Sequence, residues 1–133
     1  MPTGRMRVSD YRVAIIGAGP AGLLLSQLLH VAGIDFIILE RRSRAYVESR
    51  IRAGVLEGAT VELLDRVGVA DRLRREGLPH GGFAMASEEG VIRIDIAGLT
   101  GRSVTVYGQT EVTRDLIDAC IARGGRLDRK SVV

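Results

Sequence analysis

The sequence predicts an α/β fold of the doubly wound, Rossmann-like kind. Three observations support this prediction: an apolar run over 13–16, a glycine-rich turn over 17–22, and a second apolar run over 36–39 that ends in Glu40. An apolar segment with helical spacing, 23–31, lies between the turn and the second run. Strand, glycine turn, helix, strand and acid within about thirty residues are typical of a dinucleotide-binding β-α-β unit, here about residues 12–40.

The glycine turn has residue types that suit a pyrophosphate. Gly17 allows a tight turn out of the strand, Gly19 lets the backbone approach the pyrophosphate, and Gly22 allows the helix to pack closely on the sheet. Pro20 fits the first helical position, and the free N–H groups of the helix start favour phosphate oxygens. Glu40 stands where a carboxylate accepts hydrogen bonds from ribose hydroxyls. A glycine turn that merely starts a helix is the alternative.

Length and composition limit the classes of protein to consider. A chain of 133 residues with 46% hydrophobic residues can build one domain, but is short for a complete dinucleotide enzyme. The arginines between Arg41 and Arg75 alternate with acids and lack aromatic platforms, which argues against nucleic-acid binding. No apolar run approaches the roughly 20 residues that span a bilayer. The single cysteine, Cys120, agrees with a cytoplasmic location, and we expect no metal site.

Beyond Glu40 the pattern predicts a loop and then further elements of both kinds. Residues 41–54 are polar, arginine-rich and non-periodic, so we expect a loop over a ligand there. After Gly124-Gly125 a doubly wound sheet places its next parallel strand. The fold expected is therefore an incomplete parallel sheet with a small antiparallel β insertion. Its further elements are helices over 56–67, 70–76 and 109–122, a hairpin over 82–94 and a strand over 104–107.

The last six residues, 128–133, differ from the rest of the chain. Lys130 is the only lysine in the sequence, and the six residues match the translation of a common sequencing adapter. We therefore expect residues 1–127 to be a partial dinucleotide-binding domain and residues 128–133 to be a non-native tail. The natural chain would then continue past Leu127 into the strand that pairs beside the first one. A natural tail of this sequence is the alternative.

Segments 13–20, 38–41, 50–57 and 104–116 together resemble the 4-hydroxybenzoate 3-monooxygenase family of single-component, FAD-dependent aromatic hydroxylases. The resemblance extends over about residues 11–125. The glycine turn occurs in many flavoproteins, whereas the block from Arg50 to Glu57 and the run Tyr-Gly-Gln-Thr-Glu-Val-Thr from Tyr107 are far more specific. The resemblance implies that residues 1–127 form a partial FAD-binding domain.

The resemblance also implies which residues bind FAD. The glycine turn, with Ala21 where relatives often have serine, would hold the pyrophosphate, and Glu40 the adenosine ribose. Residues 50–55 would wrap the flavin and the diphosphate, with Arg52 bringing charge to the phosphates, and Gln109 would hydrogen-bond FAD. The implied cofactor-binding residues are Gly17, Gly19, Ala21, Gly22, Glu40, Arg41, Arg50, Ile51, Arg52, Ala53, Gly54, Val55 and Gln109.

The same resemblance implies NADPH as reductant and a role for one histidine. NADPH would bind around Arg41, Arg42 and Tyr46, and Arg42 stands where relatives have glutamine, so that its guanidinium could grip the 2′-phosphate. A solvated loop charge is the alternative for Arg42 and for Arg44. His80 matches a histidine that ends a proton relay from the substrate phenol to solvent, which suits imidazole because it titrates near neutral pH. From the residues alone, His80 is a loop residue.

The function implied by the resemblance is that of the amino-terminal, FAD-binding part of an NADPH-dependent aromatic hydroxylase. Its substrates would be oxygen and a small phenolic acid, 4-hydroxybenzoate, converted to 3,4-dihydroxybenzoate in aromatic catabolism. Family residues that bind the substrate lie beyond residue 133, so we expect this chain alone to be inactive, and the full-length protein to be a possible homodimer. Two alternatives stay open: another flavin-dependent phenol hydroxylase, or a stand-alone dinucleotide-binding module without catalysis.

Overall fold

A computed structural model describes residues 10–50 and 53–128, which fall into two compact units. The described residues up to 50 and those from 110 onwards form the first unit, and residues 53–109 form the second. The predictions made for Ile51, for Arg52 and for residues 129–133 lie outside the described residues.

The first unit is built on a parallel sheet with the strand order β1-β2-β8. Val13 of the first strand lies opposite Phe36 of the second, and Ile37 lies opposite Arg126 of the strand that follows Gly124-Gly125. The predicted β-α-β unit is thereby confirmed, and a parallel strand follows the glycine pair as predicted. It pairs with the second strand, so the expectation that the strand after the glycine pair lies beside the first strand is wrong. The elements of this unit are β1 (Val13–Ile16), α1 (Pro20–Val31), β2 (Phe36–Leu39), α2 (Arg44–Ser49), α6 (Gln109–Ala122), whose first residue belongs to the second unit, and β8 (Arg126–Asp128).

The core of the first unit lies around β2, which is buried along its apolar run. Residues 36–38 are at most 8% exposed, as expected for the central strand of a parallel sheet covered on both faces. Helix α1 contributes Leu23, and α6 contributes Leu116 and Ile117, all of which are buried. The apolar spacing of α6 in the sequence thus corresponds to the face that packs into this core.

The second unit combines a three-stranded antiparallel sheet, in the order β3-β7-β4, with a separate antiparallel hairpin, β5–β6. Leu64, Val67 and Leu73 form the centre of its core. The predicted hairpin, the helix near 70–76 and the strand near 104–107 are confirmed. The elements are β3 (Val55–Glu57), α3 (Gly58–Arg66), α4 (Asp71–Glu76), β4 (Leu78–His80), β5 (Gly82–Ser87), β6 (Gly90–Asp95), α5 (Ile96–Thr100) and β7 (Val104–Val106).

The prediction of a loop over 41–54 is wrong, because α2 forms within it. Ser43 caps this helix, its side chain accepting a hydrogen bond from the Tyr46 amide at 3.2 Å. Arg44 and Glu48 pair one turn apart. Capping and i,i+4 pairing stabilise a short helix without apolar periodicity, so a search for apolar spacing does not detect it.

The second unit differs from the expected elements in three places, one of which is strand β4 (Leu78–His80), which was not predicted. The helix predicted from Leu56 begins at Gly58, because residues 55–57 pair with β7 as strand β3. Helix α5 was not predicted; its cap is Asp95, whose carboxylate accepts a hydrogen bond from the Gly98 amide at 2.9 Å. Pairing with β7 makes residues 55–57 a strand, and the Asp95 cap stabilises helix α5.

Both units expose apolar side chains. The register of the hairpin places Phe83, Met85, Ile92 and Ile94 on one face, and the first three are 49%, 56% and 66% exposed. In the first unit, Ile16 is 80% exposed, and β1 is an edge strand of the sheet that the described residues form. None of the helices in these ranges is long and apolar enough to cross a membrane.

We predict that the 133-residue chain self-associates or is unstable in solution. An isolated two-stranded hairpin is marginally stable, and exposed apolar patches and open sheet edges promote association. Ile92→Thr should shift gel filtration towards the monomer, whereas Val91→Thr, on the opposite hairpin face, should change it less. A monomer with sharp cooperative melting would contradict the prediction and would indicate a self-sufficient domain.

Candidate dinucleotide-binding site

The glycine turn lies at the carboxyl end of β1 and leads directly into α1. The Gly17 amide donates a hydrogen bond to the Leu39 carbonyl oxygen at 2.8 Å, and Gly17 has φ +100°, a conformation that side chains rarely adopt. Gly19 is the N-cap of α1 and gives it no side-chain hydrogen bond, while Pro20 begins the helix. The first N–H groups of a helix have no acceptor within the helix, so this end of α1 can bind an anion.

Two glycines of the turn differ in the space around them. A Cβ atom at Gly22 would lie 2.4 Å from the Gly17 carbonyl oxygen and 3.1 Å from Ile15 Cγ2. At Gly22 the helix therefore packs closely against the strand and the turn. A Cβ atom at Gly19 would meet no atom of the described residues within 4 Å. The open space at Gly19 is what the close approach of a pyrophosphate requires, so the turn fits a dinucleotide.

Glu40 joins the glycine turn to the segment that follows β2. Its Oε2 accepts a hydrogen bond from the Ala18 amide, and its Oε1 accepts one from the Arg42 amide, both at 2.8 Å. A carboxylate offers about four lone-pair positions, so these two bonds leave capacity for two ribose hydroxyls. The half-buried carboxylate at the carboxyl end of β2 therefore fits the ribose role implied for it.

Arg42 and Tyr46, both predicted to bind NADPH, lie together. The Arg42 Cζ atom is 4.9 Å from the centroid of the Tyr46 ring, within cation–π distance. Arg50, predicted to bind FAD, approaches the same ring at 5.6 Å. Arg41 is exposed. The structure thus brings the guanidinium groups of Arg42 and Arg50 to one aromatic ring. The Arg42 amide is also bound by the Glu40 carboxylate.

The second unit holds another group of predicted residues through main-chain hydrogen bonds. The Ala53 carbonyl oxygen accepts from the Gln109 amide at 3.2 Å, and the Gly54 carbonyl oxygen accepts from the Tyr107 amide at 2.8 Å. Val55 continues this pairing as part of β3. Tyr107 is 5% exposed and anchors the segment. It was not predicted as a site residue, although it belongs to the most specific run of the sequence.

The structure assigns no ligand role to the remaining candidates. His80 lies in β4, opposite Val104, and is exposed, so it is a strand residue rather than the expected loop residue. Ile51 and Arg52 lie outside the described residues. Within the ranges 10–50 and 53–128, no group of three His, Cys, Asp or Glu side chains is placed to hold a metal ion. The proton-relay role of His80 stays a prediction.

A glycine turn at the start of α1 and a carboxylate after β2 define a Rossmann-like dinucleotide-binding domain. Comparison with known protein families identifies the dinucleotide. Residues 10–133 match the family described as FAD binding domain, and the chain belongs to that family. FAD, predicted as the cofactor, is thereby supported at the level of the family, while the role of each binding residue stays a prediction.

Relatives agree with this assignment. The chain is 54% identical over 115 residues to p-hydroxybenzoate hydroxylase of Acinetobacter baylyi, which covers 86% of this chain and 28% of the relative. It is 28% identical over 112 residues to pentachlorophenol 4-monooxygenase of Sphingobium chlorophenolicum, covering 81% and 20%. The crystal structure of p-nitrophenol 4-monooxygenase from Pseudomonas putida matches with a TM-score of 0.74 and 25% identity, covering 87% and 31%. The chain spans less than a third of each relative.

Two expectations from the sequence are confirmed by these matches. The motifs indicated a resemblance to FAD-dependent aromatic hydroxylases of the 4-hydroxybenzoate 3-monooxygenase family, and the identity to p-hydroxybenzoate hydroxylase confirms it. The α/β, Rossmann-like fold class is confirmed by the parallel sheet and by the structural match to a flavin monooxygenase relative.

We predict that Gly22→Ala changes stability, whereas Gly19→Ala changes FAD binding. Gly22→Ala should lower the free energy of unfolding by about 1–3 kcal/mol, because the added methyl overlaps the Gly17 carbonyl. Gly19→Ala should leave stability unchanged, since φ is −73° and the space is open, but weaken FAD binding. Thermal melting and FAD titration measure the two effects. Equal FAD affinity in Gly19→Ala and wild type would place the pyrophosphate elsewhere.

We predict that, in the full-length protein, Glu40→Ala weakens FAD binding about ten- to a hundredfold, because charge-assisted hydrogen bonds to ribose contribute about 1.5–3 kcal/mol. Asp35→Ala is the matched control: Asp35 precedes β2, and its main-chain oxygen rather than its side chain accepts from Val13. Flavin fluorescence titration gives both dissociation constants. An unchanged constant for Glu40→Ala would show that Glu40 is not the ribose ligand.

Proposed function

We propose that this chain is the amino-terminal FAD-binding part of an aromatic hydroxylase that uses NADPH and oxygen to convert 4-hydroxybenzoate to 3,4-dihydroxybenzoate. The observation that carries the proposal is the 54% identity to p-hydroxybenzoate hydroxylase over 86% of the chain. The site geometry supports it, because the glycine turn and Glu40 offer groups that suit a pyrophosphate and a ribose.

FAD, when bound, supplies the redox and oxygen-transfer chemistry. The residues of this chain hold it. The start of α1 would hold the pyrophosphate with its N–H groups and positive dipole end, and Glu40 would accept hydrogen bonds from the ribose hydroxyls. The resemblance implies that residues 53–55 also take part in cofactor binding; within the second unit, the amides of Tyr107 and Gln109 hold the carbonyl groups of Gly54 and Ala53.

NADPH is the proposed reductant because of the Arg42 environment. The exposed guanidinium of Arg42 lies over the Tyr46 ring. Its N–H donors all lie in the plane of the group. A planar, permanently charged donor set suits the 2′-phosphate that distinguishes NADPH from NADH. Arg50, on the same ring, adds a second positive charge near this position.

A second candidate is a hydroxylase of the same class that acts on another phenol. The relative named pentachlorophenol 4-monooxygenase favours it, but at 28% identity against 54% it ranks second. The proton relay through His80, a homodimer of the full-length protein, a cytoplasmic location and the inactivity of the 133-residue chain alone belong to the same proposal.

We predict that a full-length protein carrying these residues consumes NADPH in a 4-hydroxybenzoate-dependent manner and forms 3,4-dihydroxybenzoate. Arg42→Gln should reduce the preference for NADPH over NADH about tenfold, since one charge-assisted contact to the 2′-phosphate is lost. Arg75→Gln, an exposed arginine of α4, is the control and should not change the preference. Product analysis with a panel of phenols decides the substrate, and turnover of a different phenol would favour the second candidate.

A further inference from the structure

Helix α2 has six residues, and none of them is buried. A helix this short is not stable by itself in water, and apolar burial usually provides what is missing. Here the helix has a side-chain cap at Ser43 and a set of ion pairs to α6 within the same unit. These ion pairs connect α2 to α6 without the burial of an apolar side chain of α2.

The ion pairs form one chain of alternating charges, which we call the α2–α6 network: Arg44, Glu48, Glu111, Arg114 and Asp118. Arg44 binds Glu48 on its own helix at 2.5 Å and Asp118 on α6 at 2.6 Å. Glu48 also lies 3.9 Å from Arg114, which in turn pairs with Glu111 at 3.2 Å. Two separate crossings, Arg44 to Asp118 and Glu48 to Arg114, thus connect the helices.

Arg44 is the centre of the network. Glu48 first, and Asp118 second, raise the pKa of its guanidinium above the ordinary value. The side chain of Glu48 is only 19% exposed, so water screens its pairs less than it screens a fully exposed pair. Isolated surface ion pairs contribute little to stability, and the exceptions include pairs in which several charges form a network, as here.

Helix α2 carries Tyr46, the ring on which Arg42 and Arg50 stack. Arg42 is fixed on its other side by the Glu40 carboxylate through its amide. The position of α2 therefore decides where the Tyr46 ring lies relative to an Arg42 backbone that is already fixed. Movement of α2 by a fraction of a turn would separate the ring from the guanidinium.

We infer that Arg44 and Asp118 are positioning residues for pyridine-nucleotide binding: they hold α2 on α6 so that Tyr46 orients the Arg42 guanidinium. This inference rests on the proposed function of Arg42 and Tyr46 as the NADPH contacts. Among the arginines of this segment, Arg44 has the supporting role, and Arg42 and Arg50 are presented to the ligand.

The test is hydrogen–deuterium exchange of the amides of residues 45–50 in the full-length protein, together with titration of NADPH and, separately, of FAD. Asp118→Asn and Arg44→Gln should each raise the exchange rate of these amides about two- to fivefold. They should weaken NADPH binding by a similar factor and change FAD affinity by a smaller one, because the glycine turn and Glu40 lie outside α2. Asp118→Glu, which keeps the charge, should leave the amide exchange rate and the NADPH affinity near their wild-type values. Arg72→Gln, which removes the comparable i,i+4 pair to Glu76 on α4, should change neither.

Exchange rates that stay at the wild-type value in both variants would overturn the inference, and the proposed function would stand. Faster exchange with unchanged NADPH affinity would also overturn it, provided that Arg42→Gln weakens NADPH binding in the same assay. If Arg42→Gln and Tyr46→Ala both leave NADPH affinity unchanged, the proposed reductant site is wrong, and the inference is wrong with it. Asp118 is 59% exposed, so its substitution leaves the core intact.

Discussion

The carboxylate of Glu40 is the constraint on which the candidate site of the first unit depends. One oxygen holds the Ala18 amide in the glycine turn, and the other holds the Arg42 amide after β2. Parallel pairing of β1 and β2 brings both amides to the same edge of the sheet. Because each oxygen has its own backbone donor, the carboxylate is oriented before any ligand binds, which lowers the entropy cost of binding ribose.

Main-chain geometry rather than side-chain chemistry shapes much of the rest of the site. Gly17 supplies a left-handed conformation, and Gly22 supplies the absence of a side chain. In the second unit, the carbonyl groups of Ala53 and Gly54 are fixed by amides of residues 107 and 109. We therefore expect few substitutions to be tolerated at the glycines. More should be tolerated at Ala53 and Val55, because their side chains take no part in the main-chain pairing.

The sequence predicts the parts of the fold in which the local pattern and tertiary structure agree. The β-α-β unit is of this kind, since its strands are continuous apolar runs and its turn has glycines where the backbone requires them. Strands β3 and β4 could not be predicted, because Val55–Glu57 and Leu78–His80 are short and become strands only by pairing with β7. Pairing between distant segments is not encoded in the periodicity of either segment. Helix α2 could not be predicted from apolar spacing, because the Ser43 cap and the pair of Arg44 with Glu48 stabilise it instead.

The arginines of residues 41–50 show why composition alone does not reveal the site. As a cluster of like charges they suggest a solvated loop or a polyanion surface. In the structure three of these arginines have two kinds of surroundings. Arg44 lies between Glu48 and Asp118, whereas Arg42 and Arg50 lie over the Tyr46 ring. Carboxylates neutralise a guanidinium and make it a structural element, while an aromatic face orients it and leaves its donors for a ligand. Glu48 of α2 and Asp118 of α6 therefore make Arg44 a supporting residue. The Tyr46 ring of α2 makes Arg42 and Arg50 part of a binding surface.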